Sequence, residues 1–210
     1  MIKNFVFDVG EVLFCGIKPL YLRINEHLNP PNPLTNADLY NSIYIRLYMR
    51  GSITEEQLWR AVIAGFKLTA TPARLADMVR KEFVAIEGTL DIVKELRAAG
   101  YRIALLSVHG REWVQHLEAT HAFHRHFEPG CLCYSCDTSY LKPAPEAYKH
   151  VASCLNAPPE ECFFVDDHLP NCEAAEKLGF STHTFTTADD LRRDLKERGL
   201  LPRSVSALPS

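Results

Sequence analysis

Five short runs rich in apolar or β-branched residues recur along this chain: Asn4 to Val9, Arg102 to Ser107, Cys131 to Tyr134, Cys162 to Asp166 and Ser181 to Phe185. Helical patterns separate them. Strands that are apolar nearly throughout belong in a sheet covered on both faces, and strands alternating with helices favour parallel pairing. The rhythm therefore predicts an α/β, Rossmann-like parallel sheet flanked by helices. The punctuation agrees with it. Thr89 can cap TLDIVKELRAAG, which ends at Gly100; Pro170 can open PNCEAAEKLG, which ends at Gly179; ADDLRRDLKERG ends at Gly199.

One interval breaks the alternation. From Cys15 to Ala85 there is no strand pattern, only helical stretches interrupted by NPPNP (Asn29 to Pro33), RGSITEEQ (Arg50 to Gln57) and TATP (Thr69 to Pro72). Ser52 or Thr54 can cap the helix that follows, with glutamates in its first turn. The expected organisation is a core made of residues 1–14 and 86–210, with residues 15–85 inserted after the first strand as a small all-helical cap. A chain of 210 residues, 47% apolar and 23% charged, has enough material for one full core and a smaller lobe.

A net charge of -3 argues against nucleic acid or an acidic membrane as the main partner. No apolar run reaches the roughly 20 residues of a membrane helix, and the N-terminus lacks a basic segment followed by a cleavable apolar one. A cytoplasmic location is expected. Seven cysteines fit reduced thiols in such a compartment. The stretch HAFHRHFEPGCLCYSC (His121 to Cys136) crowds three histidines and three cysteines together, but Cys131 and Cys133 alternate as strand residues do, so a half-buried strand is expected there rather than zinc. The tail Leu200 to Ser210 has little to pack and is expected to be mobile or loosely docked.

Chemistry concentrates at the ends of the predicted strands. The run FVFDVGEVLF (Phe5 to Phe14) carries Asp8 in apolar surroundings, and an ionised carboxylate there needs a partner or a metal. Ser107 closes IALLSVHG's strand, Lys142 follows the third strand in SYLKPAPE, and Asp166 with Asp167 closes the fourth in FFVDDHLPN. Each alone reads as a cap or loop residue. Together they place a carboxylate, a hydroxyl, an ammonium and a carboxylate pair on one sheet edge, where open α/β sheets bind ligands.

The four segments in this order resemble the haloacid dehalogenase superfamily, in particular its helical-cap phosphatases of the glucose-1-phosphate phosphatase-like branch, whose first motif is FDxGxV. The resemblance implies that Asp8 is a nucleophile forming an aspartyl-phosphate. It also implies Mg2+ held by Asp8, the carbonyl of Gly10 and Asp167, with Asp166 acting through a metal-bound water or by holding Lys142. Ser107 and the backbone amides of Val108 and His109 would bind phosphoryl oxygens, Lys142 would neutralise charge, and Asn171 would hydrogen-bond within the acidic cluster. The implied substrate is a small phosphorylated metabolite such as a sugar phosphate; monomer and homodimer both remain open.

The chain departs from most phosphatases of that superfamily at Gly10, where they carry a second Asp that serves as general acid and base. Glu11 is the nearest carboxylate, and His109 or a cap residue is the other replacement; an anomeric leaving group needs less protonation. Two other readings stand beside the phosphatase: a metal-independent 2-haloacid dehalogenase, which has no use for the Asp166–Asp167 pair, and a catalytically weak or inactive phosphate- or partner-binding protein. In the cap, Tyr40, Tyr44, Arg46, Tyr48 and Arg50 fall where substrate would lie, although the tyrosines equally suit the cap's own core. His168 is near enough to the acidic pair to touch a metal's shell, or to face solvent.

Overall fold

The computed structural model of the chain describes residues 1–201. Strands β1 (Asn4–Phe7), β2 (Arg102–Ser107), β3 (Leu132–Tyr134), β4 (Cys162–Asp166) and β5 (Ser181–Thr184) form one all-parallel sheet in the order β3-β2-β1-β4-β5. Successive side chains along a strand face opposite ways. Phe5, Phe7, Ile103, Leu105, Phe163 and Val165 accordingly join one core, and Val6, Ala104, Leu106, Cys133 and Phe164 join another. Each fully buried large side chain contributes about 1.5–3 kcal/mol relative to exposure.

Between β1 and the core helices lie α1 (Leu20–Leu28), α2 (Asn36–Tyr40), α3 (Ile43–Met49), α4 (Glu55–Phe66) and α5 (Pro72–Glu82). The segment leaves and returns through a narrow neck. Cys15 N–H donates to the Val84 carbonyl at 2.8 Å and Ile86 N–H to that of Leu13 at 2.9 Å. Local sequence fixes the helix starts: Thr54 and Gln57 close a reciprocal capping box on α4, and Thr71 caps α5 with Pro72 in its first turn. After the neck come α6 (Thr89–Ala98), α7 (Arg111–His121), α8 (Ser135–Thr138), α9 (Pro145–Cys154), α10 (Leu169–Glu176) and α11 (Ala188–Glu197). Helices α6, α7 and α11 bury Leu96, Leu117 and Leu195 in the first core; α9 and α10 bury Val151 and Ala175 in the second. Among the described residues no helix is long and apolar enough to cross a membrane.

Several boundaries differ from those expected. Strand β1 ends at Phe7 rather than Val9, β3 begins at Leu132, and β5 ends at Thr184. Thr89 is not the cap of α6: Gly88 holds that position at φ 85°, a conformation that favours glycine, while the Thr89 hydroxyl is buried without a partner. The tail's first residues are docked, since Leu201 is buried in the first core and Leu200 packs against it. The rest of that tail, residues 202–210, lies outside the described residues.

The strand order positions the site. The chain leaves β1 for β2 and β3 on one side and reaches β4 and β5 on the other, so the carboxyl end of β1 is the switch point where a crevice opens. Register brings the chemistry to one level: Phe7 pairs with both Leu105 and Val165, placing Asp8 beside Asp166 with Ser107 close by.

Candidate active site

Asp8 is the hub of the crevice. Its Oδ1 accepts hydrogen bonds from Ser107 Oγ at 2.6 Å and from the Val9 amide at 2.7 Å, while Oδ2 lies 2.9 Å from Lys142 Nζ. Burial, with the negative charge of Asp166 beside it, pushes the carboxyl up to about 6 in spite of that ammonium. Lys142 is buried too, which works against its charge, but Asp166 and Asp8 outweigh the burial and raise its pKa above the ordinary lysine value. The fully buried Asp166 takes Lys142 Nζ at 2.5 Å on Oδ2, and the His168 amide and Asn171 Nδ2, each at 2.9 Å, on Oδ1. With both oxygens so engaged, Asp166 fixes the lysine.

Asp167 faces the cavity, and its Oδ2 lies 2.7 Å from Lys18 Nζ, a partner the sequence did not suggest. Oxygens of Asp8, Asp166 and Asp167 all lie within 4.8 Å of one another. Two ammoniums against three carboxylates leave the site net negative before any phosphate arrives. An all-oxygen donor set with that imbalance fits a hard divalent cation such as Mg2+, with Gly10 lining the same cavity.

The space beside Gly10 is occupied from the loop that follows β2. A Cβ added there would meet His109 Cε1 at 3.1 Å. His109 is buried, and burial together with the Lys142 charge pulls its pKa down to about 4, so the ring is neutral. Its Nδ1 lies 3.0 Å from Ser107 Oγ. Because the serine's single proton goes to Asp8, Nδ1 must donate to the serine, leaving a lone pair on Nε2 beside Gly10. Glu11 is spent differently: its Oε1 accepts from the Gly16 amide at 3.0 Å, holding the loop after β1, where Glu11 itself sits at φ 59°. The expectation that the His109 amide binds phosphoryl oxygens is corrected. That N–H already donates to Ser135 Oγ at 3.1 Å, and Ser135 in turn donates to the Met49 carbonyl of the helical segment at 2.6 Å. Val108 lines the cavity.

The cavity holds about 650 Å³ and is walled by both parts of the chain. Tyr40, Arg46 and Arg50 reach it from the helical segment; Trp113 and His168 reach it from the core. Tyr44 and Tyr48 do not. Tyr48 is buried edge-on against Trp113 at 4.9 Å, in a space that requires glycine at position 110, and Tyr44 is exposed. A buried carboxylate locks the two parts together: Glu55 Oε1 accepts from Trp113 Nε1 at 2.8 Å and Trp59 Nε1 at 3.2 Å, and Oε2 from Arg80 at 2.6 Å. The His121-to-Cys136 cluster does not assemble as a unit, since His124 pairs with Tyr134 and Glu118 while Cys131 and Cys133 turn into the second core.

A five-stranded parallel sheet with a carboxylate hub at its switch point, an acidic pair, a buried lysine and a helical insertion after the first strand defines a hydrolase of Rossmann-like architecture. The chain belongs to the haloacid dehalogenase-like hydrolase family, whose sequence model matches residues 2–179. It is 27% identical over 205 residues to the D-ribitol-5-phosphate phosphatase of Bacteroides thetaiotaomicron, covering 93% of this chain and 97% of that protein. A HAD-family enzyme of the same organism, solved with magnesium and inorganic phosphate, superposes with a TM-score of 0.69 at 23% identity over 89% of this chain and 96% of that one. The L-2-haloacid dehalogenase of Xanthobacter autotrophicus, solved with chloropropionic acid covalently bound, gives 0.64 at 18% identity over 100% and 93%.

Proposed function

We propose that the protein is a magnesium-dependent phosphomonoesterase of small phosphorylated metabolites, working through an aspartyl-phosphate on Asp8. The observation that carries this reading is Asp8 itself, a buried carboxylate held by Ser107 and Lys142 at the mouth of a cavity that also exposes Asp167. Asp8, the Gly10 carbonyl and Asp167 would hold Mg2+, which when bound offsets the repulsion between the nucleophile and a phosphate dianion. Asp8 Oδ attacks phosphorus as the bond to the ester oxygen breaks, the departing alkoxide takes its proton from solvent water in the cavity, and Ser107 and Lys142 hold the charge that accumulates on the phosphoryl oxygens. Water then attacks phosphorus as the bond to Asp8 breaks; its proton passes to His109 Nε2 and from there to solvent, and phosphate leaves with Asp8 and His109 both restored. Asp166 and Asn171 keep Lys142 in place.

Residues 15–85 act as a cap that chooses the substrate, with Tyr40, Arg46 and Arg50 facing whatever the phosphate is attached to. Two guanidiniums suit a polyhydroxylated or further anionic group. D-ribitol 5-phosphate, the substrate named for a relative, therefore belongs in the first panel, beside aldose 1-phosphates. The test is phosphate release from that panel and from p-nitrophenyl phosphate, with Mg2+, with EDTA, and with Asp8→Asn. Turnover abolished both by EDTA and by Asp8→Asn is expected. Chelator-insensitive chloride release from 2-chloropropionate would overturn the reading, as would phosphate binding without turnover across the panel.

A further inference from the structure

Away from the carboxylate site, a second set of donors converges between β3 and α9. Cys133 Sγ lies 3.7 Å from Cys154 Sγ, and Cys154 Sγ lies 3.6 Å from His150 Nε2. All three donor atoms fall within 4.8 Å of one another. His150 and Cys154 stand four residues apart on α9 and so share a helix face, which is turned to the strand that supplies Cys133. The spacing discriminates between a metal site and chance packing. Two thiolates about 2.3 Å from a tetrahedral zinc are about 3.8 Å apart, and a thiolate and an imidazole nitrogen about 3.5 Å apart. The two edges found here match both distances. Two of the other buried thiols have local carbonyl partners instead: Cys162 donates to the Pro158 carbonyl, and Cys172 to those of Asp166 and His183. Cys133 and Cys154 have only each other and His150 as polar partners among the described residues.

We propose that Cys133, His150 and Cys154 form a Zn2+ site, a soft-donor centre distinct from the all-oxygen site at Asp8. The two thiol protons are released as the metal binds, two thiolates and a neutral imidazole supply three ligands, and water takes the fourth position on the half-buried side of Cys154 and His150. The ion would clip α9 to the edge strand β3. That helix begins three residues after Lys142, so the clip also steadies the element that follows the lysine loop.

The test uses the full chain, stripped with chelator under reducing conditions and then saturated with Mg2+ so that the carboxylate site is filled. Co2+ serves as the spectroscopic probe and Zn2+ competes for it. Expected is one equivalent of Co2+ showing tetrahedral ligand-field bands and thiolate-to-metal charge transfer, displaced by Zn2+ and accompanied by a rise in melting temperature. Cys154→Ser and His150→Ala should each weaken Zn2+ binding at least about a hundredfold, more than the loss of an outer-shell partner does. Both positions are only half buried, so both variants are expected to fold, with circular dichroism as the check. Absence of the charge-transfer band would overturn the proposal. So would unchanged Zn2+ affinity in Cys154→Ser, or a Cys133–Cys154 disulfide forming under mild oxidant in a protein that takes up no zinc when reduced.

Discussion

Restoring the missing aspartate at position 10 is the most informative change to this site, because His109 now stands in its space. The backbone at Gly10 is not in the left-handed region, so Asp is conformationally allowed there. A Cβ would come 3.1 Å from His109 Cε1, so the ring must yield by a few tenths of an ångström, breaking its alignment with Ser107. Removing the proposed general base by His109→Ala should lower kcat by about 10²–10⁴, equivalent to about 2.7–5.5 kcal/mol of transition-state stabilisation. Gly10→Asp alone should then give no gain, or a loss, because it disturbs one base while adding another. In the His109→Ala background the ring is gone, and Gly10→Asp should recover at least about tenfold, a coupling of about 1.4 kcal/mol between positions 10 and 109. The assay is steady-state phosphate release, run on p-nitrophenyl phosphate and on an alkyl phosphate. A base that acts on water is insensitive to the leaving group once hydrolysis of the aspartyl-phosphate is rate-limiting. Additive effects, with Gly10→Asp changing kcat equally in both backgrounds, would refute the assignment of His109, and so would an undiminished kcat in His109→Ala.

Two further outcomes concern stability. Glu55→Ala removes a buried carboxylate and strands the Arg80 guanidinium and two indole N–H groups, so urea unfolding should show a loss on the order of 3 kcal/mol; a change under about 1 kcal/mol would mean that the cap is not locked through this residue. Burial alone would raise Asp194, but hydrogen bonds from Arg198 and His183 outweigh it and hold the carboxyl below its ordinary value of 3.8. A lowered native pKa stabilises the fold above the unfolded value, so the advantage of wild type over Asp194→Asn should be full above about pH 5 and vanish as pH falls through the native value. Parallel urea midpoints from neutral pH down to about pH 3 measure it, and a gap that stays constant would refute the pairing.

Much of the architecture was readable from local pattern. Short apolar strands and glycine-terminated helices are statements about neighbours in sequence, and most of the catalytic candidates sit where those strands end. Asp8, Ser107 and Asp166 meet because register in a parallel sheet converts strand ends into a shared level, and Lys142 joins them from the turn before α9. What stayed hidden depends on contacts between distant segments. Lys18 reaches Asp167 across 149 positions, and nothing near either residue announces the pair. The spacing of Tyr44 and Tyr48 put them on one helix face, but Trp113 and Gly110 of the other lobe bury Tyr48 instead. The amide of His109 is taken by Ser135, which lies on a short helix with no sequence signature of its own. The histidines before Cys131 drew attention to the wrong partners for Cys133, since the donors that face it lie one helix further along.

The chain has only two tryptophans, Trp59 on α4 and Trp113 on α7, and their rings lie 6.2 Å apart at 29° while both donate to Glu55. One belongs to each lobe, and each indole owes half of its polar environment to a carboxylate that the other also needs. Any movement of α4 away from α7 would part the rings and leave at least one indole N–H to water. Intrinsic emission is therefore a built-in position sensor: with no label attached, its wavelength and intensity report whether α4 and α7 stay together, and stopped-flow mixing with substrate tests whether they part during turnover.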